Sequence, residues 1–432
     1  MNKADWGQYL AAEQRVFDEV KREVTDKLEP DQQIPSNRYF AGSPVYPGRF
    51  ADDWNRSHVL EPTGTPVGAV VLLHGLTDAP YSQRHIAEIY RDRGFVAVVP
   101  RLPAHGTVPG ALTDVVWEDW AAATRLAVRE AVRRAGPGKP LHLVGYSNGG
   151  ALALQYALDA IDDPSLARPD RLVLISPMIG ITAFARFVGV AGWPAILPAF
   201  AKAAWLGVLP EFIPFKYNSF PINAARQSFE LTQTLQGQIN RIAQQNRLES
   251  LAPVLTFQSV IDFTVSTRAI ITALYSQLPA NGSELVLFDM NRSIKFGPLL
   301  AAGVDAILNQ VLPTPPRRFR TAILANADAE TGSMVERVVE AGTADEKVRP
   351  LDLTYPRSVF SLSHVALPFP VTDGLYGLEP DPADDFGVNI GTLATRGERG
   401  ALIVSLDSLL RLTSNPFFPY MQARIAEGIP AP

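Results

Sequence analysis

Cysteine is absent from the 432 residues of this chain. Its absence excludes disulfide bonds, thiolate catalysis, and zinc or iron–sulfur sites built on cysteine. An excess of basic residues is lacking too, because 39 Lys and Arg stand against 44 Asp and Glu and leave a net charge of −5. No basic stripe runs along the sequence, so we predict that nucleic acid is not a partner.

Long apolar runs are also missing. The most apolar stretch, residues 187–201, is interrupted by Pro194 and Pro198, and it is shorter than the roughly 20 residues that a membrane-spanning helix needs. The N-terminus begins MNKADW and has no apolar segment of the kind that marks a signal peptide. The sequence therefore predicts a soluble protein, cytoplasmic by default, with export behind a removed leader as the alternative.

Apolar residues are nevertheless plentiful, at 47% of the chain, which is typical of a globular protein with a large core. We predict three parts. Residues 1–62 form an N-terminal amphipathic helix, ending before Pro30, and a wrapping loop. Residues 63–177 and 251–432 form the core, and residues 178–250 form a helical cap.

Within the core, apolar strands alternate with helices. Strands are predicted at residues 67–73, 96–100, 141–144, 171–176, 254–260 and 284–289, with helices at 82–93, 117–134, 151–158 and 266–277. Such alternation is typical of an α/β fold with a mostly parallel, doubly wound sheet. Residues 291–356 are predicted as an insertion, with a strand at 321–324 and a helix at about 334–341. Two more helices are expected near 406–412 and 419–426.

A serine between two glycines follows the predicted strand at 141–144. Residues 145–149 read GYSNG, and a predicted helix comes directly after them. A sharp strand–turn–helix bend exposes a serine hydroxyl to substrate, and glycines permit the close approach of strand and helix. Because a hydroxyl attacks only when a base takes its proton, Ser147 is the candidate nucleophile and needs partners elsewhere in the chain.

The candidate base is His364, because it is the only one of six histidines downstream of the second half of the predicted sheet. The candidate acid is Asp262, which directly follows the strand at 254–260. Asp262 could instead cap the helix that starts near Ser266, since aspartates at such positions are often caps. Asp289, after the next strand, is the second choice for the acid.

Two backbone amides are candidates for an oxyanion hole, which stabilises the negative oxygen of an acyl-transfer intermediate. One is the amide of Asn148, at the start of the helix after Ser147. The other is the amide of Leu76, in the turn HGLTD at residues 74–78, where Gly75 lets the chain fold back. His74 and His105 are interpreted as structural histidines rather than metal ligands.

Taken together, these motifs resemble the α/β-hydrolase superfamily, in its carboxylesterase, monoacylglycerol lipase and lysophospholipase branch. The matching segments are HG at 74–75, LPAHG at 102–106, GYSNG at 145–149, SVID at 259–262 and SH at 363–364. The resemblance implies that Ser147 is acylated, that His364 acts as base and then as acid, and that no cofactor is needed. The chain departs from the family pattern in the 102 residues between Asp262 and His364.

The predicted cap follows the strand at 171–176, where this family places a cap over the active site. It is rich in Phe, Trp, Leu and Val, which predicts an apolar acyl pocket and a small-molecule hydrophobic ester as substrate. Alternatively, these aromatic residues pack within the cap itself. A serine peptidase or thioesterase, and a non-catalytic binding module, are the competing functions. A peripheral lipid contact through the cap is a further hypothesis, and the sequence leaves the oligomeric state open.

Overall fold

The computed structural model describes residues 4–180, 204–262, 264–293, 307–392 and 411–430. Ten strands form one sheet in the order β1-β3-β2-β4-β5-β8-β9-β10-β11-β12. The seven strands from β3 to β10 in that order pair in parallel, whereas β1, β11 and β12 are antiparallel to their neighbours. The strands are β1 His58–Leu60, β2 Gly68–Leu73, β3 Phe95–Val99, β4 Leu141–Tyr146, β5 Arg171–Ile175, β8 Val254–Ser259, β9 Glu284–Phe288, β10 Arg320–Asn326, β11 Ser333–Val339 and β12 Glu346–Thr354, and a separate hairpin comprises β6 Trp205–Gly207 and β7 Phe220–Pro221.

Helices cover both faces of the sheet. The described helices are α1 Trp6–Glu23, α2 Arg84–Asp92, α3 Trp117–Ala135, α4 Asn148–Asp162, α5 Ile222–Gln244, α6 Thr267–Ala269, α7 Ile307–Val311 and α8 Phe418–Glu427, and α6 continues into a π-helix over Ile270–Tyr275. Because side chains alternate along a strand, Val71 of β2 faces the core formed with α3, α4 and α5, while Val70 faces the core formed with α2 and α8. The predicted fold class, a mostly parallel sheet wound on both sides, matches this architecture.

One predicted element is wrong. The helix expected at about 334–341 is instead β11, which pairs with β10 and β12. Its inward positions follow the two-residue period of a strand, but one of them is Glu336, which is 2% exposed. The Glu336 carboxylate is held by the Tyr420 hydroxyl at 2.6 Å and by Arg349 at 2.7 Å. A buried charge therefore interrupts the apolar alternation that would have identified the strand.

The part of the cap region that the structure describes contains the β6–β7 hairpin and the helix α5. Aromatic residues here pack against the main body: the Phe215 ring stacks on Tyr81 at 4.7 Å, and the Tyr217 hydroxyl donates to the Ala104 carbonyl at 2.9 Å. Four other aromatics of the predicted cap, Phe184, Phe187, Trp193 and Phe200, lie outside the described residues. Most of the helix predicted near 406–412 lies outside them as well.

The N-terminal helix is fastened to the core by a buried ion pair. Helix α1 ends at Glu23, five residues before the predicted end, and a short 3-10 turn follows it over Thr25–Lys27. Its Glu13 carboxylate accepts from Arg101 at 2.9 Å, and both side chains are buried. None of the helices within the described ranges is long and apolar enough to cross a membrane.

Candidate active site

Ser147 lies in a strained turn at the centre of the sheet, between the end of β4 and the start of α4. Its backbone has φ 54° and ψ −117°, a region that residues with a Cβ adopt only when the surrounding structure imposes it. The surroundings do so here: the Ser147 amide donates to Ile175 at 2.9 Å, and its carbonyl accepts from Gly150 and Met178, each at 3.0 Å. The turn therefore holds the Ser147 side chain above the carboxyl ends of the strands, where ligands bind in open α/β sheets.

The flanking glycines are required by close packing. A Cβ on Gly145 would lie 2.3 Å from the Gly149 carbonyl oxygen, and a Cβ on Gly149 would lie 2.1 Å from the Leu73 carbonyl oxygen. Neither distance is compatible with a side chain. The start of α4 thus rests directly on the end of β2, which brings the turn after β2 beside Ser147.

His364 and Asp262 meet although 102 residues separate them. The His364 Nδ1 lies 3.0 Å from the Asp262 Oδ2, and the two side chains are 5% and 0% exposed. Burial opposes ionisation of Asp262, but His364 and the amides of Val265 and Thr264 outweigh it and keep the pKa of this carboxyl below its usual value. An ionised carboxylate only accepts hydrogen bonds, so Nδ1 carries the proton and Nε2 is left as an acceptor.

The base candidate lies beside the residue that precedes the nucleophile. The Tyr146 ring is 5.4 Å from the His364 ring between centroids, and the Tyr146 hydroxyl donates to the His364 carbonyl at 3.5 Å. The Ser147 hydroxyl itself makes no hydrogen bond to any residue that the structure describes. The loop of His364 is therefore packed onto the nucleophile turn, with the Ser147 hydroxyl unengaged.

Asp289, the second choice for the acid, is placed differently. Its Oδ2 accepts from the Arg292 guanidinium at 2.9 Å, and its Oδ1 accepts from the Met290 amide at 2.8 Å. The structure therefore brings Asp262, and not Asp289, to His364. The competing role of Asp262 as a helix cap is taken by Ser266, whose hydroxyl accepts from the Ala269 amide at 3.1 Å.

The turn at residues 74–78 lies against the nucleophile. A Cβ built on Gly75 would be 3.4 Å from the Ser147 Cβ. Within the described parts of the chain, neither the Leu76 amide nor the Asn148 amide has a hydrogen-bond acceptor. Two free amides beside a serine are what an oxyanion hole requires.

His74 stabilises that turn. Its Nε2 accepts from the Leu102 amide at 3.0 Å, so its Nδ1 carries the proton and donates to the Gly75 carbonyl at 2.9 Å. Burial keeps the pKa of His74 well below its ordinary value and lowers the pKa of His105 to about 4. Both rings are therefore neutral, and His74 supports the turn through hydrogen bonds at both ring nitrogens. No cluster of three or more potential metal-binding side chains occurs in the ranges that the structure covers.

Three residues at the site escaped the sequence analysis. Gln258 donates from Nε2 to the Asp262 Oδ2 at 3.1 Å and so helps to orient the acid. Tyr146 supports His364 as described above, and Asp78 lies buried in the turn of Leu76. All three occur within or next to motifs already singled out, so their positions in the sequence were a usable signal.

Comparisons with known proteins agree with this architecture. Residues 70–366 match the model of the alpha/beta hydrolase family. Because that match spans more than half of the chain, the protein belongs to the alpha/beta hydrolase family, and the resemblance inferred from its motifs is confirmed at this level. The family match also confirms the predicted fold class.

Individual relatives are more distant. A thermostable monoacylglycerol lipase of Bacillus sp. (strain H-257) is 35% identical over 92 residues, which cover 21% of this chain and 35% of the lipase. The chain thus spans about a third of the length of that relative. Among solved structures, a monoglyceride lipase of Saccharomyces cerevisiae has 15% identity and a TM-score of 0.42 over 54% of this chain and 82% of its own. A monoacylglycerol lipase of Paleococcus ferrophilus has 20% identity and a TM-score of 0.40 over 54% and 88%.

Proposed function

We propose that this protein is a serine hydrolase that cleaves carboxylic esters with a hydrophobic acyl or alcohol part. The observation that carries the proposal is the strained turn that presents Ser147 next to a buried His364–Asp262 hydrogen bond. A His–Asp pair of this kind fixes the imidazole tautomer and stabilises its protonated form. Family membership adds the expectation of hydrolytic chemistry at this edge of the sheet.

In the first half of the reaction, the Nε2 of His364 takes the proton of Ser147 as the Oγ attacks the ester carbonyl. The carbonyl oxygen becomes negative and accepts hydrogen bonds from the amides of Leu76 and Asn148. The protonated His364 then gives its proton to the departing alcohol, leaving Ser147 acylated. The contact between Ser147 and His364 forms as substrate binds, since such bonds often tighten only in the complex.

In the second half, His364 takes a proton from water, which attacks the acyl group on Ser147. Collapse of the second intermediate returns the proton to Ser147 and releases the carboxylic acid. Asp262 remains ionised throughout, because its lowered pKa keeps it a carboxylate at the pH of the reaction. The buried Asp262 thus offsets the charge that His364 gains in each half.

A hydrophobic substrate is proposed from the composition of the cap. Phe215 and Tyr217 pack on the main body, and neither an acyl pocket nor the cap's own core accounts for these two rings, so an acyl pocket would depend on other residues. Three exposed apolar residues lie in or next to β6, namely Leu206, Val208 and Leu209. They support a role for this region in binding an apolar group. Contact with a lipid surface through the cap stays a prediction, which liposome flotation of the protein would test.

Peptidase activity has less support. Between residues 177 and 245 the acids are Glu211 and Glu230. Glu211 accepts from the amides of Asn218 and Ser219 at 3.0 and 2.8 Å, so it is occupied within its own loop. Glu230 is 48% exposed and lies 3.9 Å from Arg226. Neither of these two acids is poised to bind the amine of a peptide.

The test is hydrolysis of p-nitrophenyl esters from acetate to palmitate by the wild-type protein, by Ser147→Ala and by Ser165→Ala. Ser165 is an exposed serine that bonds only with Asp163, which makes it a matched control. We expect turnover in the wild type and in Ser165→Ala, with a preference for octanoate or longer acyl chains over acetate. Ser147→Ala should lose about 10⁴-fold or more in kcat.

Two outcomes contradict parts of the proposal. Faster turnover of the acetate ester than of the octanoate ester would contradict the proposed hydrophobic substrate class. The proposed esterase activity would still stand. In the second outcome, the protein hydrolyses no ester but hydrolyses a peptide or a thioester, with that activity lost in Ser147→Ala. This result would assign the same catalytic residues to a peptidase or a thioesterase.

A further inference from the structure

Helix α5 carries a polar stripe on the side that it buries. Ser228, Thr232 and Gln236 stand four residues apart, so they lie one above another along the helix, and the first two are each 1% exposed. Burying a polar side chain costs free energy unless it forms hydrogen bonds. The partners of these three side chains therefore show what the stripe holds in place.

Two members of the stripe bind the segment that follows β5. The Thr232 hydroxyl shares its proton between its own helix and the Met178 carbonyl, the latter at 3.2 Å. The Gln236 Nε2 donates to the Ile179 carbonyl at 2.7 Å. The Met178 amide in turn donates to the Ser147 carbonyl at 3.0 Å. Helix α5 is thus bound to a segment that itself supports the nucleophile turn.

The third member, Ser228, reaches the nucleophile turn directly. Its Oγ donates to the Asn148 Oδ1 at 2.9 Å, across 80 positions of the sequence. Asn148 is 0% exposed, and its Nδ2 has no hydrogen-bond partner among the described residues. Within that part of the chain, the contact with Ser228 is therefore the hydrogen bond that holds the Asn148 side chain.

The orientation of the Asn148 amide depends on a strained peptide. The ψ angle of Ser147 sets the direction of the peptide that contains the Asn148 N–H, and Ser147 has φ 54° and ψ −117°. A backbone in this region keeps its conformation only where its neighbours impose it. The bonds described above restrain this peptide through the Ser147 carbonyl, and the bond from Ser228 restrains it from the Asn148 side chain.

We propose that Ser228 is a positioning residue that keeps the Asn148 amide directed at the oxyanion during ester hydrolysis. The inference rests on the function proposed above. An oxyanion hole needs its N–H groups about 2.7–3.1 Å from the place that the negative oxygen will occupy, so a small rotation of this peptide weakens the stabilisation. In this role Ser228 transfers no proton and forms no covalent bond.

Loss of the Ser228 hydroxyl should lower kcat more than it changes KM. The negative oxygen develops only as the reaction proceeds, so a weakened oxyanion hole affects the transition state and not the bound ester. Removing a whole oxyanion donor costs about 10²-fold to 10³-fold in kcat, and a misdirected donor should cost less. We expect Ser228→Ala to lower kcat by about threefold to thirtyfold, with KM within about twofold of the wild type.

The experiment measures kcat and KM for the best p-nitrophenyl ester with the wild type, Ser228→Ala, Ser228→Thr and Thr234→Ala. Ser228→Thr keeps the hydroxyl donor and should restore most of kcat. Thr234 is an exposed residue of α5, so Thr234→Ala alters the same helix outside the stripe and should leave both constants unchanged. Ser228→Cys, which keeps the size but has a weak donor, serves if Ser228→Ala does not fold.

A double variant tests whether Ser228 acts through Asn148. Asn148→Leu is similar in size and removes the same hydrogen bond from its other side. Ser228→Ala combined with Asn148→Leu should therefore lose about as much kcat as the worse single variant, because both changes break one interaction. Losses of kcat that multiply in the double variant, or an unchanged kcat in Ser228→Ala whatever its stability in urea, would overturn the inference.

Phosphonylation of Ser147 provides a readout that needs no turnover. The Ser147 Oγ attacks the phosphorus of ethyl p-nitrophenyl octylphosphonate, p-nitrophenolate leaves, and the hydroxyl proton passes to His364. The phosphoryl oxygen takes the position of the oxyanion, so the release of p-nitrophenolate should slow in Ser228→Ala by about the same factor as kcat. Equal rates in the wild type and Ser228→Ala would contradict the role of Ser228.

The same probe separates the inference from the proposed function. If the wild type is phosphonylated at Ser147 but hydrolyses no ester, the proposed ester hydrolysis fails, and the phosphonylation rates still decide whether Ser228 positions the Asn148 amide. If the wild type neither reacts with the phosphonate nor hydrolyses an ester, Ser147 is not a nucleophile and both proposals fail.

Discussion

Within the described residues, two histidine–aspartate pairs differ in what surrounds them. His364 bonds to Asp262 through Nδ1 at 3.0 Å, and His85 bonds to Asp373 through Nε2 at 2.9 Å. The first pair leaves Nε2, the nitrogen farther from the backbone, available for Ser147. The second pair has used that nitrogen and leaves Nδ1, which lies 3.9 Å from the Glu88 carboxylate.

The carboxylates differ as well. Asp373 also accepts from the Arg84 guanidinium at 3.1 Å and from the Tyr81 hydroxyl at 2.9 Å, and two further amides reach its Oδ1. It joins α2 to the loop that follows Pro370, a residue paired with Asn415, and its partner His85 lines a cavity of about 880 Å³. A His–Asp hydrogen bond therefore fixes a tautomer, and only the group on the other side of the ring determines whether that tautomer is useful in catalysis.

Replacing the two histidines gives the largest expected contrast. His364→Asn should reduce kcat for the best p-nitrophenyl ester by about 10⁴-fold or more, because the proton acceptor is lost. His85→Asn should keep kcat and lower the free energy of unfolding by about 1 kcal/mol, through the weakened bond to Asp373. Steady-state kinetics and urea denaturation of both variants measure the two effects. Equal losses of kcat would contradict the distinction between the pairs.

Replacing the two aspartates should separate activity from stability. Asp262→Asn should lower kcat by about 10²-fold to 10⁴-fold, because the tautomer and the imidazolium are no longer supported. Asp373→Asn should instead lower the free energy of unfolding by about 3 kcal/mol, since the buried Arg84 loses a charged partner. Kinetics and denaturation again provide the measurements.

Asp289→Asn is the control for the choice of acid. Its carboxylate is bound by Arg292 and by the Met290 amide, whereas His364 is bound by Asp262, so this variant should keep its kcat. Loss of turnover in Asp289→Asn and its retention in Asp262→Asn would assign the acid to Asp289 instead.

The smallest effect concerns the dependence of stability on pH for two carboxyls near the nucleophile turn, Asp262 and Asp78. The folded pKa of Asp262 lies below the ordinary 3.8, so Asp262 contributes stability above pH 3.8 that is lost as the pH falls through the lower value. The folded pKa of Asp78 is raised above the ordinary 3.8. The free energy of unfolding therefore falls as the pH rises from 3.8 through the folded pKa, and it stays lower above that range.

Denaturation midpoints between about pH 2 and pH 8 measure both signs. Asp78→Asn should be more stable than the wild type at pH 8, by about 1 kcal/mol, and this gain should shrink as the pH falls. A variant less stable than the wild type at pH 8 would show that the charge of Asp78 is structurally favourable.

The sequence predicted the strands of the sheet well where the hydrophobic pattern of a segment was uninterrupted. The strands β2, β4 and β8 are buried along their whole length and begin within runs rich in apolar residues, so their positions and order were readable, and with them the positions of Ser147 and Asp262. Segment β11 was misread because the buried Glu336 depends on Arg349 and Tyr420, which lie 13 and 84 residues away. No local pattern contains those partners.

Long-range pairing limited the prediction of the site in the same way. The order nucleophile, acid and base singled out His364 by elimination, but the hydrogen bond from the Tyr217 amide to the Thr77 carbonyl and the pair His85–Asp373 join segments far apart in the chain. The latter spans 288 residues. Such contacts depend on how the strands and helices are arranged in the folded chain. From the sequence alone, we could anticipate only the residues that belong to a known motif.

The 102 residues between Asp262 and His364 also bear on how the chain folds. They include β9, β10, β11 and β12, so the acid is in place at the end of β8 long before the base has been brought back to it. Closing a loop of this size is entropically slow unless the intervening strands have already paired. In a refolding experiment, hydrolytic activity should therefore return after most of the secondary structure has formed, and enzymatic recovery would report completion of the sheet edge.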